Sequence, residues 1–181
     1  KTGFQVGIFL SELEKVIVSL KDKPRIDPVD VEEIVGRTKE DSIFDLQRAV
    51  GRRDLKKALF YLRELLSQKE PPLALLAGIS TEIRYLVAAR EFMGRELKTK
   101  WNPRLSEEAF KRTIYFPVVL KKKKEMPEKA RVNIFKLPLN VLFEMLKNAE
   151  KYSAEELRAG LNLLLQADLK MKTLRTPPET V

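Results

Sequence analysis

Apolar residues recur at helical spacing along most of this chain, and proline and glycine cut the pattern into segments. Phe9, Leu13, Val16 and Leu20 stand four, three and four apart, and Leu157, Leu161, Leu164, Asp168 and Met171 repeat that register near the end. Such spacing puts one face of a helix toward a core. No stretch of useful length alternates apolar and polar residues, so the expected class is all-α.

The breakers set the segments. Lys23-Pro24 stops the first helix, and Asp27-Pro28 opens a short one with Val31, Ile34 and Val35, closed by Gly36. Ser42 and Asp45 resemble a capping box ahead of Phe44, Leu46 and Ala49, with Gly51 at the end. Asp54 caps a stripe of Leu55, Ala58, Leu59, Leu62, Leu65 and Leu66. Pro71-Pro72 opens a helix reading Leu76, Ile79, Ile83, Leu86 and Arg90, with Gly94 as its stop. Residues 95–137 are less regular. Asn102-Pro103 marks a turn, Ser106 caps a helix, and Pro117 and Pro127 limit its continuation. From Pro138 a helix carries Leu139, Leu142, Phe143, Leu146 and Ala149. Ser153 and Glu156 then form a full capping box for the last helix, and Pro177-Pro178 comes after it.

The chain has 181 residues and neither His nor Cys. At that length roughly 70% of the unfolded surface can be buried, enough for a core without metal or disulfide. Without His or Cys there is no Ser-His-Asp triad, thiol nucleophile, imidazole base or ordinary zinc site. The missing Cys favours a reducing compartment. Its seven glycines form no phosphate loop, and pairs such as Glu32-Glu33 and Glu107-Glu108 read as exposed helix positions. No cofactor is expected. Uninterrupted apolar runs such as Leu73–Ile79 reach about seven residues, short of the roughly 20 that span a bilayer, so no membrane association is expected. Lys1 is not an initiator Met and no signal pattern comes after it, so the chain is expected to be a piece of a longer one.

Net charge is +9, and it is concentrated. Residues 95–136 hold 13 basic and five acidic side chains, while the flanking segments are nearly balanced. Lys98, Lys100, Trp101, Arg104 and the run Lys121, Lys122, Lys123, Lys124 lie there, interleaved with Phe110, Tyr115, Phe116 and Phe135. Clustered cations attract phosphate, and aromatics stack on unpaired bases. The other reading is a solvated lysine loop over aromatics that belong to the core. One residue breaks the helical pattern: Asp168 lies on the apolar stripe of the last helix. A carboxylate there either finds a cation, with Arg84, among Ile83, Leu86 and Val87, as the expected partner in a structural ion pair or polar anchor between helices, or reaches solvent at the helix edge.

Several passages, in order, resemble the delta subunit of the bacterial DNA polymerase III clamp loader. Ser42–Val50 (SIFDLQRAV) followed by Arg53–Leu59 (RDLKKAL) resembles the family's passage at the start of its collar. Glu12–Lys15 (ELEK), Ile26–Val35, Leu75–Leu86 and Ala167–Lys172 resemble further helices of that family in the same order. Residues 95–136 fit poorly, being longer and more basic than the usual connection.

The resemblance implies a partial helical lid of AAA+ type over residues 1–41 and a helical-bundle collar over 42–181, with the collar's last helix cut off. The nucleotide-fold domain, which carries the sliding-clamp contact, would be missing. The family is counted within a DNA-directed DNA polymerase holoenzyme, a nucleotidyltransferase, but this piece is expected to catalyse nothing. Its implied partners are ATPase subunits of tau/gamma type and delta-prime, met through the collar in the bacterial cytoplasm. Primed DNA is a further implied contact, through Arg175 and parts of Arg95–Lys136. The alternative is a free-standing basic helical domain that binds nucleic acid through the cations named above.

Overall fold

A computed structural model of the chain describes residues 6–19, 27, 39–125 and 132–173. Among the described residues every regular element is helical, in keeping with the all-α expectation. The chain divides into two compact units, 1–42 and 43–181. In the first, helix α1 (Val6–Ser19) buries Val16 and exposes Phe9 and Leu13, so its expected stripe is only partly used. Leu20, Asp27-Pro28 through Gly36, Pro127, Arg175 and Pro177-Pro178 fall wholly or largely outside the described residues.

The second unit takes up helix α2 (Lys39–Gly51) from Ile43 and continues through α3 (Leu55–Ser67) and α4 (Pro72–Glu96). A short α5 (Glu107–Phe110) runs into a π-helix over Lys111–Val119 and then α6 (Leu120–Glu125). After a 3₁₀ turn at Ile134–Lys136 come α7 (Leu139–Ala149) and α8 (Ala154–Thr173).

Local chemistry explains most helix starts. The Asp54 carboxylate accepts the Lys57 backbone N–H at 3.0 Å, and Ser106 Oγ accepts that of Ala109 at 3.2 Å. The α8 capping box is complete: Ser153 Oγ accepts the Glu156 N–H at 3.0 Å, and Glu156 Oε2 accepts the Ser153 N–H at 2.7 Å. Pro72 occupies the first turn of α4, where an N–H has no helical partner. Two expectations at helix ends change. Ser42 lies inside α2 rather than at its cap, because the helix already starts at Lys39. Gly94 does not stop α4, which runs on to Glu96.

Helix α4 is the spine. Its Leu86, Ala89, Phe92 and Met93 meet Phe110, Ile114, Val119, Phe135, Leu142, Phe143 and Leu146 in one core. A second cluster joins Leu46, Leu65 and Leu75. Each fully buried Leu or Phe contributes about 1.5–3 kcal/mol through removal from water, so the larger cluster dominates stability. By length and composition α4 could also cross a membrane: it has 25 residues, and an 18-residue window within it has mean hydropathy 1.3. Counting uninterrupted apolar runs understates it. Leu86, Ala89, Phe92 and Met93 use one stripe of the helix in the core shared with α7 and α8, and 17% of the apolar window is buried.

The π-helix corrects the expectation that Pro117 limits a helix. Pro117 sits inside the segment, which passes directly into α6. Proline has no N–H and its ring crowds the carbonyl four residues back in an α-helix. Widening the turn to five-residue closure relieves that crowding, and the Leu120 N–H bonds the Tyr115 carbonyl. The wider turn also puts Ile114 and Val119, five residues apart, into the same core, where both are fully buried.

Candidate functional site

No group of three or more Asp or Glu side chains among the described residues could hold an ion. What the second unit offers instead is surface of three kinds.

The basic stretch is split by the fold. Trp101 packs edge-on against Phe110 and Phe143, with ring centroids 6.2 Å away in each case, and its indole N–H is buried without an acceptor. It is partly buried against the core, with its ring engaged by these two phenylalanines. Phe110 and Phe135 are buried. Lys98, Lys100, Arg104, Lys121, Lys123 and Lys124 are exposed. Lys122 differs: its ammonium lies 2.9 Å from Glu96 and 3.4 Å from Glu125. The hydrogen bond it donates to Glu96 is the chief reason its pKa is raised. Phe116 is the aromatic of this stretch that remains half exposed, against Tyr115.

The second surface is a seam between α4 and α8. A cavity of about 550 Å³ opens there, with Leu76, Ala77, Leu161 and Leu164 among its lining. Arg84 and Asp168 both face it, but they do not form the expected ion pair. Asp168 accepts instead from Lys172 at 2.6 Å, one turn along its own helix. An i,i+4 partner needs no second helix to be positioned, so it forms at less conformational cost. Arg84 has no ion-pair or hydrogen-bond partner among the described residues. Further along, a cavity of about 230 Å³ is lined by Val87, Arg90, Leu157 and Arg158, and Leu161 borders both. Outside the seam α8 exposes Leu163 at 66%, and α3 exposes Leu55 at 72% and Phe60 at 61%. Large apolar side chains left in water on two helices are a feature of interaction surfaces.

The third feature is one the sequence does not announce. The α2–α3 turn is stapled to the α7–α8 turn. Arg53 pairs with Glu156 and donates to the Lys151 carbonyl, and its guanidinium lies 5.2 Å from the Tyr152 ring. Tyr152 donates its hydroxyl to the Val50 carbonyl. Arg53 adopts φ 60°, the left-handed region, at a cost of about 1 kcal/mol that these contacts offset. Under this staple lies Glu82. A methyl group added at Gly51 would overlap its carboxylate and oblige the Glu82 side chain to shift. Burial raises the Glu82 pKa to about 7. Exposed Glu156 shifts the other way, held low first by the Ser153 backbone N–H and then by Arg53.

A signal for Glu82 does exist in the sequence. Leu75, Glu82, Leu86, Ala89 and Met93 follow spacings of seven, four, three and four, and the four apolar members are buried. The stripe of Leu76, Ile79, Ile83 and Arg90 lies beside it.

Comparison with known proteins gives two matches. Residues 40–101 match the family model for the C-terminal domain of the DNA polymerase III delta subunit. The chain is also 25% identical over 171 residues to the DNA polymerase III subunit delta of Bacillus subtilis (strain 168), covering 94% of this chain and 41% of that protein. The chain thus spans about two fifths of the length of the curated relative it matches. No solved structure matches it. Both matches support the C-terminal region of a delta subunit.

Proposed function

We propose that this chain, by its sequence matches the C-terminal region of a delta subunit, is a non-catalytic assembly module of the clamp loader. Residues 42–181 act as the collar that joins neighbouring subunits, and residues 1–41 belong to an AAA+ lid. Clamp opening is the work of the whole protein. This region holds the rest of it against the ATP-driven subunits of tau/gamma type and delta-prime. The sliding clamp is reached only through parts outside this chain.

The observation that carries the reading is the combination of the delta-subunit match with apolar surface on α3 and α8 that the chain's own core does not use. Burying it against a partner contributes roughly 25 cal/mol per Å² before the costs of association. The packing of Trp101 against Phe110 and Phe143 weighs against a free-standing nucleic-acid-binding domain, since it engages that ring within the chain. The exposed lysines then contribute a salt-dependent contact to DNA inside the assembly, and Arg175 is a further candidate for it.

The test is size-exclusion chromatography with light scattering of this chain, mixed with ATPase and delta-prime subunits from the same source. A stoichiometric complex is expected. Separate elution of the chain, repeated when it is extended at its C-terminal end, would overturn the assembly reading.

A further inference from the structure

Along the α4–α8 seam an apolar floor, an open groove and an excess of positive charge coincide. The larger cavity pairs the start of α4 with the end of α8, from Leu73 to Lys172. The smaller one pairs Glu91 with Ala154, at the opposite ends of the same two helices. Leu161 borders both, so the two cavities together flank α4 between residues 73 and 91, a span of roughly 27 Å at 1.5 Å per residue. That length suits a helix of about 18 residues.

The charge is uneven. Arg84, Arg90, Arg158 and Lys172 line the two cavities against Glu91 and Asp168, and Glu155 lies within the field of Arg158 and Arg90, so among the described residues the uncompensated cation is Arg84. Lys172 already neutralises Asp168, and Arg84 is left over. In water an unpaired guanidinium is solvated at no cost. Once a helix covers it, the same group is desolvated and needs a carboxylate. We infer that the seam receives an amphipathic helix of a clamp-loader partner subunit, apolar on one face and carrying an acidic side chain that meets Arg84. This rests on the assembly reading and adds to it a place, an occupant and a charge.

The test uses the chain with its partner subunits and two variants at exposed positions, Arg84→Glu and Leu165→Asp, each first checked for unchanged helicity. Both are expected to weaken the complex about tenfold or more, because a desolvated charge pair and an apolar anchor are each lost. A synthetic helix of about 18 residues with a leucine stripe and one central Glu serves as a second probe. The parent chain should prefer the Glu peptide to its Lys copy, and Arg84→Glu should reverse that preference. A complex that forms with parental affinity in both variants overturns the seam proposal while the assembly reading stands. Absence of any complex overturns the assembly reading, and the clamp-loader occupant with it, whatever the peptide does. If the chain alone dimerises and Arg84→Glu dissolves the dimer, a second copy occupies the seam and the proposal is wrong about its partner.

Discussion

Trp101→Ala is expected to destabilise the chain by about 3 kcal/mol, toward the lower end for a large aromatic because Trp101 is half-buried rather than sealed. The loss combines the apolar surface withdrawn from Phe110 and Phe143 with the cavity left between them. Trp101→Phe should stay within about 1 kcal/mol of the parent. It keeps a ring in the cluster and removes the buried indole N–H that lacks an acceptor, two effects of opposite sign. Urea denaturation of the three proteins reads both numbers. If Trp101 were instead a stacking platform, the alanine variant would keep parental stability and lose affinity for single-stranded DNA.

Stability should also fall as pH rises through neutrality, with Glu82 as the cause. Its ordinary value is 4.5, and burial beneath Gly51 and Tyr152 raises it to about 7 in the folded chain. Between those values the unfolded chain gives up its proton while the folded chain keeps it. The folded state then binds more protons, so its stability declines with rising pH. The contribution is complete below about pH 4.5 and is lost as pH passes about 7, amounting to roughly 1–3 kcal/mol. Glu82→Gln keeps the shape and cannot ionise, so it should gain on the parent at about pH 8 and differ little at about pH 5. Parallel pH profiles for the two proteins would refute the assignment. Glu156 works in the opposite sense, losing its contribution as pH falls, but it is exposed and its effect is small beside that of Glu82.

Features decided within one turn are legible in the sequence. Asp54, Ser106 and the Ser153–Glu156 box each act within three residues of themselves, and each caps the helix expected of it. Features that depend on register or on distant chain are not. Pro117 reads as a barrier because α-helical geometry is assumed, and a change to π closure has no local signature. Trp101 and the lysines share a stretch of sequence but separate in space, since the ring has an aromatic cluster to join and the cations remain in water. Glu82 falls on the α4 stripe of Leu75, Leu86, Ala89 and Met93, but sequence gives no reason to place Gly51 and Tyr152 near it. Asp168 is visible as a break in the stripe, yet a local lysine satisfies it before Arg84 can.

The central claim is that the chain assembles through apolar faces and that its lysines play a secondary part. Affinity for the ATPase and delta-prime subunits, and separately for single-stranded DNA, measured at about 0.1 M and about 0.5 M salt, tests it most directly. Binding to those subunits should change only a few fold over that range, because apolar burial is not screened. DNA binding by the chain alone should be weak and fall steeply. Tight DNA binding, together with subunit binding that collapses at the higher salt, would contradict the account and assign the chain's main contact to its basic stretch.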